Sequence, residues 1–458
     1  MTERKVSMEM PAKRRKPAKR RLLAAAAAAT LLSGVATACS SSSTTAAAGS
    51  TASNPATTSA SAATSASAPA SASGSGQGKT ITLGMLTPLT GPVSSSFGQE
   101  TVQGAQARID LANADHELPG GEQIKLVSVD EGSSPQTSLS GTQQLVQNDH
   151  VFAVLAAGAF FYGAYRWAAQ QSEPVVGDGI DGPEWNSSQY QNMFAAFGST
   201  DDSYPSYTGM SAFFKSQGGT SYCGVGYNAP STVGNGGAMA GSMKQAGLPV
   251  PYTNFGIAPG NANFTSIALA IKQAKCNVLG SQMTLGDTLN LITALRNANV
   301  SLKATFIQGG YGQDLLDQPS SLSAAQGVDM AAGYEPSSLN TTATKWMMSA
   351  LKTYAGWTKP YPSAGAEWGW FTADTAIEGL KVAGANPTQQ SFITSLRKVS
   401  SFNHEGLTCP VDYSVFSNTN QQFPGNCTWM VKVEGSQFVS LTGASPIKVV
   451  TIPGTSNS

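Results

Sequence analysis

Two hydrophobic periods alternate along the chain from Thr80 onward. Thr80 to Leu86 (TITLGML) is a short β-rich run, and Thr87 to Ser96, with Pro88, Gly91 and Pro92, reads as a loop. Phe97 to Ala114 then places Val102, Ala105, Ile109 and Ala112 three and four apart, which predicts a helix. Ile124 to Asp130 is a second strand and Pro135 to Asp149 a second helix, with Leu139, Leu145 and Val146 inward. Val151 to Ala156 is a third strand, Phe160 to Ser172 a third helix, and Pro174 to Gly177 a fourth strand.

A second series starts near Ser221. Its expected strands are Tyr222 to Tyr227, Tyr252 to Ile257, Cys276 to Gly280 and Thr305 to Gln308. Its expected helices are Gly236 to Gly247, Phe264 to Ala274 and Leu285 to Asn297. Two further helices follow, Thr342 to Tyr354 and Trp370 to Ala383, and the chain turns β-rich over Trp429 to Val433 and Phe438 to Leu441. Strands that alternate with helices imply right-handed crossovers and parallel sheets covered on both faces. The expected fold class is therefore α/β with two lobes, and ligands of such sheets lie at the strand C-termini.

The residues before Thr80 follow neither period. Lys13 to Arg21 reads KRRKPAKRR, residues 22–38 carry no charge, and Ala36-Thr37-Ala38-Cys39 ends the run. A basic start, a short apolar stretch and small residues before a cut site make an export signal, so residues 1–38 are read as a leader. Residues 40–78 are Ser, Ala, Thr and Gly save for Asn54, Pro55, Pro69 and Gln77. Such a segment buries nothing against its own chain entropy, and residues 39–78 are read as a disordered tether. Its flexible span is roughly 35 Å. No later stretch reaches the ~18 uninterrupted apolar residues of a membrane span.

Charge narrows the function. The chain has 27 Lys plus Arg and 27 Asp plus Glu, but residues 1–38 hold nine of the basic and two of the acidic groups. The remainder carries 18 basic and 25 acidic residues, a net of −7, which excludes nucleic acid as a partner on electrostatic grounds. No HExxH, GxSxG or P-loop is present, and no Cys pair has zinc spacing. Neither a cofactor nor a metal is expected. Gly234 to Gly241 (GNGGAMAG) is glycine-rich but lacks dinucleotide-loop spacing. Asp130-Glu131 is read as a solvated pair at a strand end.

ITLGMLTPLTGP (Ile81 to Pro92), then Phe97-Gly98, Gly104-Ala105, Val129-Asp130, VLAAG (Val154 to Gly158), Pro174 to Glu184 and WFTADTAIEGLKVAG (Trp370 to Gly384) follow in order. This set resembles the branched-chain amino-acid-binding proteins, the leucine-binding-like type I periplasmic solute receptors of ABC importers. The resemblance implies two α/β lobes joined by three crossings, near Gly198–Asp202, Met330–Pro336 and Phe402–Leu407. It implies lobe 1 over 79–200 and 334–404, lobe 2 over 201–333 and 405–445, and a tail over 446–458. It also marks Cys39 as a lipobox cysteine, hence an anchor on the outer face of the cell membrane.

In that family a Ser/Thr-bearing loop after the third strand, with backbone N–H groups at a helix start, takes the ligand carboxylate. A Thr after the fourth strand and an acid from the second lobe complete the grip. This chain instead has Ala157 to Tyr162 (AGAFFY) in the loop, Asp181 at the Thr position, and Gly310-Tyr311 near the acid position. The expected site is aromatic: Phe97, Phe160, Tyr162, Tyr311 and Trp370, with Ala159 and Met283, and Asp181 as its one charge. The expected solute is a small amino-acid-like, amide or partly aromatic molecule with an amine or hydroxyl for Asp181. The expected partners are that solute, ABC permease subunits and the membrane through the lipid, with the protein a monomer. An extracytoplasmic hydrolase using Asp178 and Asp181, or a sensing lipoprotein without a transporter, are the alternatives. Besides Cys39, four cysteines allow three pairings. Cys223 and Cys276 open strands expected to be neighbours, and Cys409 and Cys427 flank a Gly/Asn-rich excursion of 17 residues, so Cys223–Cys276 and Cys409–Cys427 are the expected bonds.

Overall fold

The computed structural model describes residues 79–197, 206–260, 263–416, 427–452 and 454–455. The leader, Cys39, the tether and the crossing expected at Gly198–Asp202 lie outside the described residues. The first series runs β1 (Thr80–Thr87), α1 (Gly98–Ala114), β2 (Gln123–Asp130), α2 (Pro135–Gln143), β3 (Ala153–Ala156), α3 (Tyr165–Gln170), β4 (Val175–Gly177) and β5 (Met193–Ala195). The second runs α4 (Met210–Ser216), β6 (Tyr222–Tyr227), α5 (Pro230–Gln245), β7 (Tyr252–Ile257), α6 (Phe264–Gln273), β8 (Val278–Gln282), α7 (Leu285–Asn297), β9 (Ala304–Ile307), α8 (Gln313–Asp317), α9 (Pro319–Ala325) and β10 (Asp329–Ala332). Then come α10 (Thr342–Ala355), α11 (Ala364–Ala383), α12 (Gln389–Leu396), β11 (Cys427–Glu434), β12 (Gln437–Ser440) and β13 (Ile447–Lys448).

The first five strands form a parallel sheet of order β2-β1-β3-β4-β5. Alternation along β1 explains its two faces. Ile81, Leu83 and Met85 point to Ile109 of α1, Ile377 of α11 and Phe392 of α12. Leu86 points the other way, to Leu145, Val154 and Phe161. Fully burying each such side chain contributes about 1.5–3 kcal/mol. The second parallel sheet has order β7-β6-β8-β9. An antiparallel sheet, β10-β11-β12 with β13 on β11, holds the chain's end. The expected tail is thus partly built in, since β13 pairs with β11 and Thr451 bridges to Tyr207.

Both disulfides form as expected, Cys223–Cys276 with Cα atoms 5.7 Å apart and Cys409–Cys427 with 6.1 Å. Three helices differ from expectation. α11 starts at Ala364 under a Ser363 cap, six residues before the expected Trp370. Its glycines are needed rather than disruptive, because a Cβ on Gly369 would sit 1.8 Å from the Thr101 carbonyl oxygen. α5 begins at Pro230, whose missing N–H suits the first turn. The expected helix from Phe160 is instead a 3₁₀ turn, Phe161–Gly163, followed by the short α3.

Two of the expected crossings are side by side. The Glu335 N–H donates to the Leu407 carbonyl at 2.7 Å, and Phe402 bridges Val411. Buried His404 lies between them and α11, with Nδ1 2.7 Å from Asp374 and Nε2 2.9 Å from the Ala196 carbonyl. Among the described residues no helix is long and apolar enough to cross a membrane.

Candidate functional site: the strand ends of the first sheet

The loops after β2, β3 and β4 emerge from adjacent parallel strands, where unpaired backbone groups concentrate. Asp130 closes β2 and ties the loop after β1. It accepts from the N–H groups of Leu89 (2.9 Å), Thr90 (3.2 Å) and Gly132 (2.7 Å), and from the Thr90 hydroxyl (2.5 Å). Partial burial works against its charge, but these hydrogen bonds hold its carboxyl below the usual range.

Glu131 corrects the expectation of a solvated pair: it is 1% exposed. It turns beneath Gly158, where a Cβ would lie 2.7 Å from either carboxylate oxygen. The Phe160 N–H donates to its Oε1 at 3.1 Å, and Oε2 has no partner. Burial, with the Asp181 charge second, pushes its carboxyl up to about 8.

Asp181 accepts from the Tyr162 N–H at 2.8 Å and from Trp185 Nε1 at 2.5 Å. Burial raises its carboxyl, and those two donors limit the rise. Asp178 is fully buried, and the Ile180 and Gly158 N–H groups are the donors that partly offset its burial. Burial, then Asp181 and Glu131, push it well above the carboxylate range. Glu184 is 4% exposed with Oε1 unpartnered, and burial followed by Asp181 raises it too. Asp181 is the charge that the other three carboxyls share as a neighbour.

Of the residues expected at the site, Ala159, Phe160, Tyr162 and Asp181 come together here. The rings of Phe160 and Tyr162 are 6.0 Å apart. Burial, then the Asp181 and Glu131 charges, raise the Tyr162 phenol, which is partly exposed above them. Phe97 caps the start of α1 and stacks on Trp368 at 6.2 Å. Met283 follows β8 and is buried in the second lobe's core. Tyr311 is buried too, accepting from the Ser337 N–H at 2.8 Å and packing 4.7 Å from Phe438. Trp370 is fully buried, 5.2 Å from Trp346, with Arg108 against both rings. The structure places none of Met283, Tyr311 and Trp370 against the four residues at the loop.

Sequence reasoning missed Glu131 and Glu184 as site groups, and Trp368 with Phe197, whose rings are 5.3 Å apart. A signal for the acids was available. Residues 129–190 hold seven acidic side chains and a single lysine or arginine, Arg166. Among the described residues no group of three or more His, Cys, Asp or Glu could hold a metal ion. A recess of about 540 Å³ opens elsewhere, between α6 and α7, lined by Phe264, Leu269, Asn290 and Thr293. It lies on helix flanks, away from strand ends, and Asp287 at its rim is bound to the Tyr227 hydroxyl at 2.6 Å.

The family described as periplasmic binding protein matches residues 80–437. No curated protein sequence matches the chain. Among solved structures, the chain is similar to the leucine-binding protein LivK of Thermotoga maritima, at 14% identity over 80% of this chain and 99% of that one, TM-score 0.65. It is similar to a fatty acid ABC transporter substrate-binding protein from Thermomonospora curvata, at 19% identity over 83% and 95%, TM-score 0.64. It is also similar to an ABC transporter solute-binding protein from R. palustris in complex with benzoate, at 16% identity over 83% and 99%, TM-score 0.64. At such identities the likeness is one of fold.

Proposed function

The chain belongs to the periplasmic binding protein family, and from that premise we propose that it is an extracytoplasmic solute receptor. It captures a small molecule between two lobes and delivers it to the permease of an ABC importer. The observation that carries the reading is the pair of parallel α/β sheets linked by the paired segments at Glu335 and Leu407. A few backbone rotations in such segments let lobes close on a guest, and ligand shifts the balance toward the closed form. The lobe limits 79–200 with 334–404, and 201–333 with 405–445, are supported by the packing of α10 and α11 on α1 and of β11 on β10. The proposal includes acylation at Cys39, a membrane tether over 40–78 and a monomeric receptor.

A hydrolase using Asp178 and Asp181 has less support. Asp178 is sealed from water, and both Asp181 oxygens already accept hydrogen bonds. The test is native mass spectrometry of the purified protein, followed by denaturation. One solute per chain, released chemically unchanged, is the expected result. Release of a conversion product would reject the receptor reading.

A further inference from the structure

We infer that the Cys409–Cys427 disulfide is a strap across the hinge. It pins the first lobe to β11 of the second, so the lobes turn about it, and a dithiol that opens it loosens their motion. The inference rests on the receptor reading above and names a control on its lobe movement. Three observations carry it.

The first is the setting of Cys409. Phe402 and Val411 exchange two backbone hydrogen bonds, one in each direction, and so close a hairpin. Its stem belongs to the first lobe. Val411 lies in the core with Ile377 and Phe392. Tyr413 donates its hydroxyl to the Ala195 carbonyl at 3.0 Å and packs its ring 5.7 Å from Phe194. On the other side of the turn, His404 is held by Asp374 of α11 and by the Ala196 carbonyl. Cys409 is therefore fastened to the first lobe from both directions along the chain. On this packing the last change of lobe falls after Tyr413, later than the limit expected at 404.

The second is the setting of Cys427. It opens β11 and pairs with Lys448 of β13, and Trp429 pairs with Ala332 of β10. The bond thus joins the first-lobe hairpin to the second lobe's antiparallel sheet, with Cα atoms 6.1 Å apart. Beside it the second and third crossings are linked by the hydrogen bond from the Glu335 N–H to the Leu407 carbonyl. A net hydrogen bond contributes about 0.5–1.5 kcal/mol and yields during a motion; a covalent bond does not. The axis of lobe rotation is thereby held close to the disulfide.

The third is the contrast between the two bonds. Cys223 and Cys276 are 0% and 4% exposed, and both lie inside the second lobe. Cys409 and Cys427 are partly open to solvent. Thiol–disulfide exchange needs access to a sulfur, so a dithiol reaches the strap first. One of its thiolates attacks a strap sulfur, forming a mixed disulfide and releasing the other cysteine. Its second thiol then closes the reductant's own disulfide and frees the remaining cysteine. Two electrons and two protons pass from the dithiol to Cys409 and Cys427.

The experiment compares the mature protein with a Cys409→Ser, Cys427→Ser variant and a Cys223→Ser, Cys276→Ser variant, by small-angle scattering and amide hydrogen exchange. Loss of the strap should raise the radius of gyration and speed exchange at the Glu335 amide at least about tenfold. Loss of the other bond should leave the radius of gyration at the parent's value. The parent treated with dithiothreitol and alkylated should be labelled at Cys409 and Cys427 before Cys223 and Cys276, with the same two changes; this arm decides the matter should the strap variant fail to fold. Unchanged scattering and unchanged Glu335 exchange after the strap opens would overturn the inference, the bond then being a local staple. A solute that still co-purifies in that case leaves the receptor reading intact. Absence of solute from the parent would count against the receptor reading, while scattering still decides the strap.

Discussion

Arg108→Met should cost the protein about 3–5 kcal/mol, because it removes one partner from a buried ionic chain. Arg108, 2% exposed on α1, donates through Nε to Asp374 at 2.6 Å and through both terminal nitrogens to Glu117 at 2.8 Å. Asp374 on α11 meets His404 at 2.7 Å, and His404 reaches the Ala196 carbonyl. Burial alone would raise the Asp374 carboxyl. Arg108 first and His404 next overcome that and hold it at about 2 against an ordinary 3.8. The difference corresponds to about 2 kcal/mol of stabilisation. Its sign follows from the depressed value: this stabilisation is present above about pH 4 and is lost as pH falls toward about 2. In the variant Asp374 stays buried with His404 as its one remaining partner, so the loss exceeds that figure and the acid transition moves upward in pH. Denaturant titration of Arg108→Met, Asp374→Asn and the double variant measures this. The double should be less damaging than the sum of the singles by about 1–3 kcal/mol. Additivity within about 0.5 kcal/mol would show that the network does not act as a unit.

Removing Cys223–Cys276 by a Cys223→Ala, Cys276→Ala pair should cost about 4 kcal/mol. Removing Cys409–Cys427 should cost about 3, following the 53- and 18-residue separations; equal or reversed losses in urea melts would contradict that ordering. Gly369→Val should cost about 3 kcal/mol or more, because α1 backbone occupies the space a side chain would need; a soluble variant melting within about 2 °C of the parent would refute it. Burial drives Glu131 and Glu173 up to about 8 from an ordinary 4.5. Carboxyls raised on folding favour the native state while protonated, so ligand-free stability should fall as pH rises from about 5 to about 8 and then level. Glu131→Gln should flatten that slope, and a profile rising over the same range would oppose the assignment.

The sheets were readable because parallel strands are buried on both faces and read as apolar runs. Thr80 to Leu86 and Tyr222 to Tyr227 are such runs, and both form strands at the expected positions. β5 (MFA) and β10 (DMAA) escaped because, unlike the equally short β3, β4 and β9, they hold no Val, Ile or Thr to mark a strand. The start of α11 escaped for a different reason. Gly365 and Gly369 look like breaks until the neighbouring helix is known, and only then do they mark where two backbones touch. The Cys223–Cys276 disulfide was legible because strand order puts Cys223 beside β8, paired with Leu279, close to where Cys276 leads in, and Cys409–Cys427 because only 18 residues separate the two.

The candidate site divides along the same line between local and distant causes. Asp181 and the Phe160–Tyr162 loop follow directly from strand ends, so their neighbourhood could be placed from the sequence. Tyr311 also follows a strand end, but its surroundings depend on Phe438, which arrives after the entire helical layer of the first lobe. Glu131 depends on a vacancy: it can turn inward because position 158 has no side chain. Once Glu131 lies there it consumes the Phe160 N–H, and Asp181 consumes that of Tyr162. Two donors at the start of the 3₁₀ turn are thereby spent on buried carboxyls of the same lobe. The excess of acids over residues 129–190 was visible in composition. Which carboxyls are buried, and which lack partners, follows only from the packing.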